Sequence, residues 1–77
     1  MPVLTVANGH TANLYRLGQN VPFSQLSEKR ITKRVREELR GAYGVQNVHV
    51  SCSASYINNT WQGECIIHGI RYKYTIR

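Results

Sequence analysis

The chain has 77 residues, 42 % of them hydrophobic, with ten Lys or Arg against four acidic residues and a formal net charge of +6. At that length there is room for one small domain, spanning 1–77, with a single core and no second module. All four acidic residues are Glu, and the lack of Asp excludes paired-Asp catalysis, EF-hand loops, Walker-B magnesium sites and Ser-His-Asp triads.

No apolar run approaches the roughly 20 residues that span a bilayer. The opening Met1-Pro2-Val3-Leu4-Thr5-Val6 has neither the basic n-region nor the apolar h-region of a secretory signal. The expectation is a cytoplasmic protein with no membrane partner, whose two cysteines stay reduced.

In chain order, Val3-Leu4-Thr5-Val6-Ala7 followed by Asn8-Gly9 predicts a short N-terminal hairpin, because Asn-Gly suits a turn in which both central residues take positive φ. Its second arm lies between His10 and Leu17, its free edge is open to pairing with another chain, and Gly18 to Pro22 reads as a loop.

Ser27 then stands where a helix N-cap belongs, with Leu26 and Ile31 placed as a hydrophobic staple. Ile31, Val35 and Leu39 recur every four residues, and Ala42 continues their face. With Gly41 as the terminating glycine, the pattern predicts a helix over 28–40, with Glu28 and Arg40 complementing its dipole.

Beyond Tyr43-Gly44 the period changes to two. Val48, Val50, Cys52, Ala54 and Tyr56 alternate with His49, Ser51, Ser53 and Ser55. A turn at Asn58-Asn59 pairs Tyr56 with Trp61, Ala54 with Gly63, Cys52 with Cys65 and Val50 with Ile67. A second turn at His68-Gly69 pairs Ile67 with Ile70, Cys65 with Tyr72, Gly63 with Tyr74 and Trp61 with Ile76. Both turns leave the same face apolar, so the three arms form one antiparallel meander. An amphipathic helix and a one-faced sheet must cover each other, which gives an α+β two-layer sandwich with a short N-terminal hairpin, ββαβββ. The predicted core is Ile31, Val35, Leu39, Val48, Val50, Cys52, Ala54, Trp61, Cys65, Ile67, Tyr72 and Tyr74.

On a helical wheel Lys29, Lys33, Arg36 and Arg40 fall in a narrow arc opposite the apolar stripe, with Arg30 and Arg34 flanking them. Such a ridge suits the phosphates of a nucleic-acid backbone, where each neutralised phosphate releases counterions. The plain alternative is a solvated face with Lys33–Glu37 and Glu37–Arg40 pairs. The outward face of the meander adds Arg71 and Lys73 among Ser, Thr and Gln. With Tyr56, Tyr72 and Tyr74 pointing inward, a platform that stacks single-stranded bases is disfavoured.

His49-x-x-Cys52 and Cys65-x-x-His68 have tight metal-ligand spacing, yet a three-residue step along a strand reverses direction, so histidines and cysteines face opposite sides. The same register leaves a Cys52–Cys65 disulfide geometrically open, although reduced core thiols are the expectation. A metal-free ribonuclease using His49 and His68 is the one enzyme these residues permit. The reading that follows is a small non-enzymatic nucleic-acid-binding protein, without metal or cofactor, docking through Lys29, Arg30, Lys33, Arg34, Arg36, Arg40, Arg71 and Lys73. The alternative is a protein-binding inhibitor, of phage or mobile-element type, whose basic ridge meets an acidic partner protein.

Overall fold

Two tight turns fix most of the architecture. In a computed structural model of the protein, which describes residues 2–15, 17, 21–44 and 49–77, Asn58 and Asn59 both have positive φ, as do His68 and Gly69. Two-residue turns of this hand match the natural twist of the strands they join. They connect β4 (Ser55–Ile57), β5 (Thr60–Ile67) and β6 (Ile70–Ile76). The register is the expected one, with Tyr56 opposite Trp61, Cys52 opposite Cys65, Gly63 opposite Tyr74 and Ile67 opposite Ile70.

The first arm of the meander is not continuous. It divides into β3 (Ser51–Cys52) and β4, with Ser53 and Ala54 between them. The Ser53 carbonyl leaves the ladder to accept from the Tyr74 hydroxyl at 2.5 Å, and the Glu64 N–H turns to Ser53 Oγ at 3.4 Å. Gly63 permits this, because a Cβ there would stand 2.0 Å from the Ser53 oxygen. The strand therefore bends where its partner has no side chain.

At the N-terminus, β1 (Val3–Val6) and β2 (Thr11–Asn13) form the expected hairpin, but through a three-residue loop. The Val6 N–H donates to the His10 carbonyl and the Gly9 N–H to the Val6 carbonyl. Of Asn8 and Gly9, only Gly9 has positive φ, so the Asn-Gly pair closes a longer turn than the two-residue one its sequence suggests. One side of the hairpin is covered, since β1 pairs antiparallel with β6, Leu4 opposite Ile76 and Val6 opposite Tyr74, while β2 stays at the edge of the sheet. The result is one six-stranded sheet in the order β2-β1-β6-β5-β3, with β4 also on β5.

The helix α1 (Glu28–Tyr43) starts at Ser27, whose Oγ accepts from the Arg30 N–H at 3.1 Å. It runs past Gly41 to a left-handed Gly44, whose N–H bonds the Arg40 carbonyl. The extra turn is held by tertiary contacts. The Tyr43 ring stacks on Tyr72 at 5.4 Å, and its hydroxyl accepts from the Asn8 side-chain amide.

Ile31, Val35 and Leu39 are fully buried against Leu4, Val6, Val50, Trp61, Cys65, Ile67, Tyr74 and Ile76, and the helix covers one face of the sheet only. Cys52 and Tyr72 are half-buried at the margin, and Val48 lies outside the described residues. Leu14, Leu17 and Leu26 complete the core from the connecting segment, where a short 3-10 turn at Phe23–Gln25 offers its Phe23 carbonyl to the Trp61 indole N–H at 2.9 Å.

The expectation of reduced cysteines is corrected: Cys52 and Cys65 are joined in a disulfide. They face each other at a pair that exchanges no backbone bonds, since the ladder bond falls next door at Ser53 N–H to Glu64 O. Antiparallel neighbours of that kind approach closely, here to 4.2 Å between Cα atoms. No helix among the described residues is long and apolar enough to cross a membrane.

Candidate nucleic-acid interface

The helix carries six of the ten basic residues, Lys29, Arg30, Lys33, Arg34, Arg36 and Arg40, on a rod anchored along its other side. Four residues of that other side, Ile31, Thr32, Val35 and Leu39, are buried. The Thr32 hydroxyl satisfies itself by donating to the Lys29 carbonyl at 3.2 Å. Anchoring one face of an amphipathic helix fixes the direction of the other.

The six cations are not equivalent. Lys29, Arg30 and Lys33 are exposed, whereas Arg34, Arg36 and Arg40 are half-buried. The Arg40 Nε is buried and finds no hydrogen-bond partner among the described residues. Arg34 is engaged at 3.8 Å with Glu38, whose other oxygen lies 3.6 Å from His10 Nε2 in the N-terminal turn. That cluster ties hairpin to helix and draws Arg34 away from the ridge.

Neither Lys33–Glu37 nor Glu37–Arg40 comes within ion-pair distance among the described residues, where Glu38 takes the pairings. Lys29, Lys33, Arg36 and Arg40 thus form an unneutralised row about 16 Å long at 1.5 Å per residue.

Arg71 and Lys73 do not join it. Alternate residues of β6 point to opposite faces, and Tyr72, Tyr74 and Ile76 take the helix side. Arg71, Lys73 and Arg77 are exposed on the far side of the sheet, beside a shallow groove of about 470 Å³ lined by Thr5, Ser55, Gln62, Glu64, Lys73 and Thr75 among others. The eight predicted residues are therefore brought together as six on the helix and two on the opposite face. Arg77 belongs with the two, as the same alternation indicates.

His49 and His68 are both exposed, and the two sulfurs that a zinc site would share with them are bonded to each other. Comparison of the chain with protein-family models, curated proteins and solved structures finds no match.

Proposed function

We propose that the protein binds double-stranded nucleic acid without catalysis, docking the row Lys29, Lys33, Arg36 and Arg40 against phosphates. The observation that carries this reading is the row itself: four cations on one anchored helix face, none of them held in an ion pair among the described residues. Phosphate contacts of this kind supply affinity without reading sequence. A net charge of +6 adds long-range attraction to a polyanion.

A duplex fits better than a single strand because, apart from the exposed Tyr15, the described aromatic rings are buried or packed against one another. Tyr43 lies between His10 and Tyr72, and Tyr56 packs with Phe23 and Trp61. Stacking platforms for unpaired bases need open ring faces. Titration of a mixed-sequence DNA duplex and an RNA duplex at low and moderate salt tests the reading. Binding that weakens steeply with salt and varies little with sequence is expected. Absence of binding at low salt refutes it and leaves an acidic partner protein as the target of the ridge.

A further inference from the structure

We infer that the open face of the sheet is a second duplex-binding surface, so that one molecule holds two nucleic-acid segments, one on each side; this rests on the helix ridge binding duplex as proposed above. The strand β6 is the middle of the order β2-β1-β6-β5-β3, so its outward side chains run down the centre of the uncovered face. Those side chains are Arg71, Lys73, Thr75 and Arg77, a line about 20 Å long at roughly 3.4 Å per residue. The three basic ones are exposed, and neither ion pair among the described residues uses them.

Hydroxyl and amide groups border this line. Thr5 and Thr75 face each other across β1 and β6, Gln62 opposes Thr75 from β5, and Ser55 opposes Gln62 from β4. Arg, Lys, Ser, Thr and Gln side chains are the groups that bond phosphate oxygens in duplex complexes. Glu64, opposite Lys73, is the one acidic side chain on the face among the described residues, against the three basic ones.

The two basic surfaces cannot serve a single segment. They lie on opposite sides of a two-layer molecule measuring 32 × 21 × 21 Å, whereas duplex DNA stays straight over a persistence length of about 50 nm. A segment seated on the ridge therefore cannot curl round to the sheet. Charge complementarity on both sides makes the protein a bridge between two duplexes.

The test is capture in trans: an immobilised DNA duplex, the full chain, and a labelled second duplex of the same composition. The parent is expected to retain the labelled duplex, and high salt to release it. Replacing Arg71, Lys73 and Arg77 by Thr, which keeps strand propensity, should leave binding to one duplex through the ridge, with its salt slope, unchanged but abolish capture of the second. Glu64→Gln, which removes the opposing charge, should hold the labelled duplex to higher salt than the parent. A parent that binds one duplex yet captures no second one overturns the second surface and leaves the ridge standing. A triple Thr variant that captures like the parent overturns it too, and a parent that binds no duplex at all removes both surfaces.

Discussion

The Tyr74 hydroxyl donates to the Ser53 carbonyl at 2.5 Å, and this bond fills the space where a side chain at Gly63 would stand. A Cβ at Gly63 would meet backbone, 2.0 Å from the Ser53 oxygen, and not the tip of a side chain that could swing aside. Gly63→Ala is therefore expected to destabilise by about 1–3 kcal/mol through overpacking. Loss of the Tyr74 bond adds about 0.5–1.5 kcal/mol. Chemical denaturation measures it; a midpoint equal to the parent's would mean that Ser53 does not lie over Gly63.

The same tyrosine gives the fold an alkaline limit. Burial, and secondarily the negative charge of Glu28, raise the Tyr74 pKa well above its ordinary value. The unfolded chain ionises this group near pH 10, while the folded chain keeps it protonated. Its contribution is thus fully present below about pH 10 and is lost as pH rises beyond it. The melting temperature should fall through that range. In Tyr74→Phe the starting stability is lower and this part of the fall is absent. Parallel curves for parent and variant would contradict the assignment.

Much of the fold was legible because the turns at Asn58-Asn59 and His68-Gly69 are local, and a side-chain period of two carries their register along every strand they join. The pairing of β1 with β6 was not. Val3–Val6 and Ile70–Ile76 lie at opposite ends of the chain, and no turn between them sets a register. The helix end at Gly44 was missed for a related reason: Gly41 has the right residue type, but Tyr43 is held by Tyr72 and Asn8, which only the folded chain brings near. Alternation placed Arg71 and Lys73 on the outward face of the meander, yet grouping them with the ridge ignored that the helix covers the other face. For Cys52 and Cys65 the register gave their proximity but not their oxidation state, which is chemistry outside the pattern.

Reduction of the disulfide has a bounded effect. Cys52 and Cys65 are 13 residues apart, and cross-linking a loop of that size is worth about 3 kcal/mol in the chain-entropy model. The Asn58-Asn59 hairpin already brings the same strands together, so the measured loss should fall below that figure. Denaturation of the protein with and without a dithiol reductant, with the two forms distinguished by the mass of two hydrogens, measures it. Unchanged stability would mean that the pair adds nothing to the attachment of β3. A chain isolated without oxidation and carrying two free thiols would contradict the bond itself.

Loss of the Ser27 cap tests the geometry that aims the ridge. Ser27→Ala removes the acceptor for the Arg30 N–H and should cost about 1 kcal/mol. Duplex affinity under conditions where the variant is folded should be unchanged, because the cap lies outside the cation row. A large affinity loss in a folded variant would move part of the interface to the helix N-terminus.

The most direct measurement of the central claim is the dependence of duplex affinity on salt for the parent and for a variant with Lys29, Lys33, Arg36 and Arg40 replaced by Gln. Gln keeps helix propensity close to that of Lys and Arg, so charge changes while the fold is retained. Four lost phosphate contacts predict a slope of log affinity against log salt that is shallower by about 3–4 units, with affinity reduced alike for every sequence. A folded quadruple variant that binds as tightly and as salt-sensitively as the parent would contradict the account.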